Sequence, residues 1–374
     1  MQDNTVLILG AGSSMEYGFP SGSQLIKEIC KDFDPKNNND SFYLASLIYP
    51  FFNEDNTKHE KYFEAKDLIA DFINRLQDAK PISMDDFMHC TTKAKPEFNI
   101  IGKMLILLTI LKYESKYDHR KMNGWYNDLF NKIQNKSLDE PDIKELKTNF
   151  FSIITFNYDR SLELFLFYTI SANYPSANKQ EICEVIKSLN IKHVYGQIGE
   201  FPDFYFDVDK DSIAYKKEID LKTLKSEIDF SYLKKKVPIH EIVVLFSNGF
   251  SYKLVADFKK VLESSQSIKT YREEDIPESD ISKYQEILRK ADRIFFLGFG
   301  YHEQNLKILG LDNILERQRI YGTTYRCGKA EVEGIKGLLR KSYNKNFAHI
   351  NYGGINHEYN EYEIEKYFKE VEML

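Results

Sequence analysis

Apolar residues recur along this chain in two ways. Short continuous runs occur at Thr5–Leu9 (TVLIL), Phe150–Ile154 (FFSII), Ile242–Phe246 (IVVLF) and Arg293–Leu297 (RIFFL). Runs of this length suit strands buried on both faces of a parallel sheet. Lys192–Tyr195, Arg319–Tyr325 and His349–Tyr352 read as shorter strands. Helical spacing marks Leu25–Phe33, Leu162–Ile170, Tyr252–Leu262, Tyr284–Ala291 and Lys329–Leu339, and dominates about 41–147. Within that long region Ser83-Met84-Asp85-Asp86 reads as a helix start, with Ser83 as N-cap. Strands alternating with helices predict an α/β fold, a Rossmann-like doubly wound parallel sheet. The expected organisation is one domain over 1–374, with a helical insertion at about 41–147 and a charged helical one at about 210–236.

Composition narrows the class. The 374 residues are 42% hydrophobic and 14% aromatic, enough for a large core. Net charge is −6, so no basic excess points to direct nucleic-acid binding. The start of the chain lacks a signal-peptide pattern, and the strongest apolar stretch, Met104–Leu111, is too short to span a bilayer. A soluble cytoplasmic protein without membrane contact is expected. Cys30, Cys90, Cys183 and Cys327 are scattered and form no C-x-x-C pair, and no two histidines stand four apart, so no metal is expected.

Candidate chemistry collects where strands end. Thr5–Leu9 runs straight into Gly10-Ala11-Gly12-Ser13-Ser14, a turn whose N–H groups can approach a phosphate, although such turns also occur without ligands. The dehydrogenase fingerprint G-x-G-x-x-G is broken by Met15, and no second strand ending in an acid follows about 20 residues on, which disfavours hydride transfer. The run Phe150–Ile154 ends in Thr155-Phe156-Asn157-Tyr158-Asp159, the shorter strand at Lys192 carries His193-Val194-Tyr195-Gly196, and Arg293–Leu297 ends in Gly298-Phe299-Gly300-Tyr301-His302-Glu303-Gln304-Asn305. In open α/β sheets ligands bind beyond the carboxyl ends of the strands, so these stretches are expected at one rim. Asp159 read alone is a helix cap, and a lone histidine such as His193 is commonly structural.

Taken in order, with Gly18-Phe19-Pro20-Ser21 after the first turn, these motifs resemble the sirtuin-like NAD-consuming family. The match is nearest to its bacterial branch, whose members act as NAD hydrolases in antiphage defence. The motifs span residues 5–310. The four-cysteine zinc module of the deacylating members is missing, their proline-aspartate-phenylalanine-arginine loop is replaced by Pro20-Ser21-Gly22-Ser23, and their histidine-glycine pair is stretched to His193 and Gly196.

The resemblance implies that NAD+ is the substrate, with Asn157 and His193 catalytic. Asn157 would orient a water and hold the nicotinamide ribose; neutral His193 would take a proton. Asp159 would orient the ribose or the amide, and Thr155 is a further cofactor-binding position. Gly10, Ala11, Gly12, Ser13 and Ser14 would cradle the pyrophosphate, Pro20 and Ser21 are further cofactor-binding positions, and Gly298, Gly300 and Asn305 would line the adenosine half. The chemistry suits these groups: nicotinamide leaves as a neutral molecule, so the protein has to stabilise a cationic sugar and place a nucleophile. A homo-oligomer is expected, docked on a HerA-type ATPase or an Argonaute-like sensor. A non-catalytic NAD or ADP-ribose sensor, an assembly subunit and an NAD-dependent deacylase are the alternatives.

Overall fold

The computed structural model describes residues 4–36, 59–114, 117–118, 120, 124–134, 143–146, 151–198, 241–244, 254–257, 265–269, 276–311, 318–324 and 329–342. The charged stretch 210–236 and the strand expected at 349–352 lie outside them. Two compact units are present. The first comprises residues 1–21, 116–197 and 269–374; the second comprises 22–115 and 198–268.

Five parallel strands form the sheet of the first unit: β1 (Thr5–Leu9), β2 (Phe151–Thr155), β3 (Ile191–His193), and, further on, β6 (Arg293–Leu297) and β7 (Arg319–Gly322). Their order is β3-β2-β1-β6-β7, that of a Rossmann-like doubly wound sheet. Val6, Leu7 and Ile8 of β1 are fully buried, as are Ile153, Ile154 and Ile294–Leu297, which is why these strands read as unbroken apolar runs. Register aligns the last residues: Leu9 pairs with both Thr155 and Leu297, and Thr155 pairs with His193. The segments that follow β1, β2, β3 and β6 therefore leave the sheet side by side on one rim, as the strand-end motifs predict.

Helices α5 (Trp125–Ile133), α6 (Ser161–Asn173), α7 (Lys179–Ser188), α8 (Glu278–Lys290), α9 (Glu303–Leu309) and α10 (Lys329–Ser342) accompany this sheet. The second unit holds α1 (Gly22–Asp32), α2 (His59–Ala79), α3 (Met84–Thr91) and α4 (Glu97–Glu114). Ser83 caps α3 by accepting from the Asp86 N–H at 3.1 Å. Helix α4 is apolar on all sides, and Met104–Leu111 is buried throughout, because α1, α2 and α3 all pack on it. Its buried Lys112 bonds Glu28 at 3.0 Å and also Asp32, so no charge is left unpaired there.

Two expectations change. The 41–147 region divides: its part up to residue 115 joins α1 in the second unit, while Trp125–Ile133 belongs with the sheet. The run starting at Ile242 does hold a strand, β4 (Glu241–Val244), but its partner is antiparallel β5 (Leu254–Asp257), which lies where Tyr252–Leu262 reads as helical. Leu254-Val255-Ala256-Asp257 is a short apolar run, for which helix and strand periods cannot be told apart.

Between β1 and β6 the two chain exits pack backbone against backbone. The Gly10 N–H donates to Leu297 O at 3.0 Å, and the Gly12 N–H to Gly298 O at 3.0 Å. Gly298 has φ +56°, and a Cβ there would lie 2.1 Å from the Ser13 nitrogen. Gly298→Ala is expected to destabilise the protein by about 2–5 kcal/mol, from left-handed strain together with overpacking. Gly334→Ala on α10, where an added Cβ meets nothing within 4 Å, should be neutral or stabilising. Denaturant unfolding of both variants checks the contrast; equal midpoints would contradict it.

Candidate active site

The rim is assembled around Asn157, just beyond β2. Thr155 closes the turn by accepting the Asn157 N–H on Oγ1 at 3.1 Å. The Asn157 carbonyl accepts from His193 Nδ1 at 3.0 Å. Its side-chain Nδ2 donates to Ser13 Oγ at 3.2 Å and Ser14 Oγ at 3.5 Å. Both serine hydroxyls direct their protons elsewhere: Ser13 to Gly10 O at 2.8 Å, Ser14 to Asp159 Oδ2 at 3.0 Å. Each can therefore only accept from Asn157, which fixes which end of the amide faces them. The remaining end, Oδ1, is buried and has no hydrogen-bond partner among the described residues. A buried unpartnered acceptor is rare and needs a reason; held so rigidly, it is ready to receive a donor from a ligand.

Asp159 completes this layout. Oδ2 takes the Ser14 proton and Oδ1 accepts the Ser161 N–H at 3.1 Å, the first residue of α6. The helix-capping role read from sequence is thus partly met, and the same carboxylate also ties β2's exit to β1's. Burial, with the nearby Asp159 charge, pushes the phenols of Tyr126 and Tyr117 up. The loop carrying Ser13 and Ser14 is braced by α5. Trp125 donates its indole N–H to Ser13 O at 2.9 Å, Tyr17 and Tyr126 stack with centroids 3.7 Å apart, and Tyr126 meets Ser161 Oγ at 2.8 Å.

Other expected contacts come out differently. No long helix begins behind the glycine turn: two short 3-10 turns, Ala11–Ser13 and Met15–Tyr17, precede α1. Besides Gly10 and Gly12, Ser13 N–H bonds Gly10 O and Ser14 N–H bonds Ala11 O, so these four amides are already engaged within the protein. The glycines serve close backbone packing between the exits of β1 and β6. Pro20 is buried, and Ser21 directly precedes α1. On the β6 side Gly298 lies against Gly12 and Gly300 is exposed, while Asn305 of α9 accepts from the Tyr195 hydroxyl through Oδ1. Phe156, Phe299 and Tyr301 fill the space beside them, with Phe156–Phe299 centroids 5.1 Å apart and Phe299–Tyr301 5.4 Å.

His193 also departs from its expected role. Nδ1 faces the Asn157 carbonyl, which only accepts, and Nε2 lies 2.7 Å from Glu163 Oε1. Both side chains of this pair are 6% exposed. With both ring nitrogens engaged, His193 has no lone pair free to take a proton from a ligand. Burial alone would lower its pKa; the Glu163 charge and hydrogen bond, the Asn157 carbonyl and the Asp159 charge outweigh it and raise the value above 6.5. Sequence reading missed Glu163. The available signal was a single charge inside the apolar helix SLELFLFYTI, which has to find a partner once buried.

Among the described residues, no group of three or more His, Cys, Asp or Glu side chains is placed to hold a metal ion, and no helix is long and apolar enough to cross a membrane. No family model matches the sequence, and no curated protein matches it.

The His193 pair gives a pH dependence of stability with a definite sign. A histidine whose folded-state pKa is raised contributes stability that is full below its unfolded value, about 6.5, and is lost as pH rises through the folded value. His193→Gln should therefore cost about 1–3 kcal/mol at pH 6, from one charged hydrogen bond, and progressively less as pH rises past the raised value. Urea unfolding of both proteins across pH tests this; a difference that grows with pH would refute the assignment.

Proposed function

We propose that this chain is an NAD+ glycohydrolase that cleaves NAD+ to nicotinamide and ADP-ribose. The observation that carries the reading is the buried, unpartnered Oδ1 of Asn157, on the motif through which the chain resembles sirtuin-like enzymes. An acceptor suits the reaction. It can receive an O–H of the nicotinamide ribose or of the attacking water and hold either in place. The C1′–N bond breaks with its electron pair going to nicotinamide, which departs neutral. Water adds to the sugar carbon, and its second proton passes to solvent. Asp159, tied to Asn157 through Ser14, puts negative charge beside the developing cation. His193 is assigned to holding the Asn157 peptide, since its ring nitrogens are engaged.

By its resemblance the enzyme acts in the cytoplasm as an antiphage effector that depletes NAD+, as a homo-oligomer docked on a HerA-type ATPase or an Argonaute-like sensor. Such activity has to stay silent until infection. Light scattering of the purified chain should give a mass above that of the monomer; a strict monomer with full activity and no partner would remove regulation by assembly.

The main test is direct. Purified protein incubated with NAD+ should release nicotinamide and ADP-ribose. Asn157→Ala should slow release by about 10²–10³ while leaving the protein folded, the loss typical of one transition-state contact. A folded Asn157→Ala variant that turns over at the wild-type rate would remove Asn157 from the mechanism. A protein that binds NAD+ and leaves it intact would be the sensor instead.

A further inference from the structure

Glu163 stands in the first turn of α6, between Leu162 and Leu164, all three buried. A carboxylate in such surroundings persists only with a close partner, and here that partner is His193 Nε2 at 2.7 Å. The imidazole then reaches on through Nδ1 to the Asn157 carbonyl at 3.0 Å. Both neighbours of the ring accept hydrogen bonds, so keeping both contacts requires a proton on Nδ1 and another shared between Nε2 and the carboxylate. Asp159, on the same turn as Asn157, is the other charged group acting on the ring. Glu163, His193 and the Asn157 peptide thus form a strut from α6 through the end of β3 to the exit of β2.

We propose that Glu163 is a positioning residue of this site: by keeping His193 a donor at both ring nitrogens, it fixes the Asn157 peptide and so aims the Asn157 Oδ1. Loss of the shared proton would release one end of the strut and let the peptide swing. The inference rests on the reading of Asn157 as the ligand-facing group. Glu163 itself touches no ligand.

The experiment uses the full chain, labelled with ¹⁵N at histidine and asparagine, as wild type and as Glu163→Gln. In the wild type, the His193 ring nitrogens should both give protonated signals through neutral pH, and nicotinamide release should show no inflection where an ordinary histidine titrates. In Glu163→Gln, His193 should titrate near its ordinary value, and the Asn157 side-chain amide signal should shift with the same midpoint. One pH unit above that midpoint about a tenth of the rings remain protonated, so kcat should fall about tenfold, with recovery at lower pH and a smaller change in KM. A merely structural role would lower activity equally at every pH.

An unprotonated ring nitrogen in the wild type at pH 7 overturns the proposal. So does a Glu163→Gln variant with a wild-type pH profile and an unmoved Asn157 signal. If the wild type releases no nicotinamide, the proposed function fails while the strut is still judged by the Asn157 amide signal. If Glu163→Gln does not fold, the wild-type ring signals and the pH profile of nicotinamide release decide.

Discussion

The candidate site depends on how closely the exits of β1 and β6 approach each other. Gly10 and Gly12 of one exit and Gly298 of the other meet through backbone atoms, with a hydrogen bond at each end of the contact. Side chains on either exit would push the two apart by more than packing could absorb. Because they do meet, Ser13 and Ser14 are delivered to a fixed position over the neighbouring strand β2. Everything polar on the rim follows from that placement. The same contact engages the Gly10 and Gly12 amides within the protein.

Electrostatically the rim ties most of its polar groups together and, among the described residues, leaves the Asn157 Oδ1 open. Hydroxyl protons are committed to a carbonyl and a carboxylate, the asparagine amide is turned by those commitments, and its free end is an acceptor. Around it the buried charges are arranged in short contacts: Glu163 with His193, and Asp159 with Ser14 and the α6 N-terminus. A lone buried carboxylate would be costly, and neither is left alone.

Much of this was legible in the sequence. The strand runs TVLIL, FFSII and RIFFL were found to within a residue, because strands buried on both faces carry no competing pattern. The parallel register then placed Ser13, Asn157, His193 and Gly298 on one rim with no further information. Two kinds of feature were hidden. Strand β5 escaped because a few apolar residues fit either period. The division of labour among the rim groups escaped because motif spacing says nothing of where protons go. That His193 is fully engaged, and that the glycine amides are too, are facts of three-dimensional donor and acceptor matching. Glu163 lay between these cases: its isolation in an apolar helix was visible, its partner was not.

The interleaving of the two units also bears on how the chain reaches this state. Thr5 pairs with Phe151 and with Arg293, so the central strand is made first and completed last. Until β6 emerges, one edge of TVLIL has no neighbour, and residues 22–115 and 198–268 intervene along the chain. Closure of such distant pairings is slow, and an unpaired apolar strand is prone to join the wrong partner meanwhile. Synthesis of this protein therefore includes an interval in which its central strand lacks one of its final neighbours, and a chaperone that shields β1 would act in that interval.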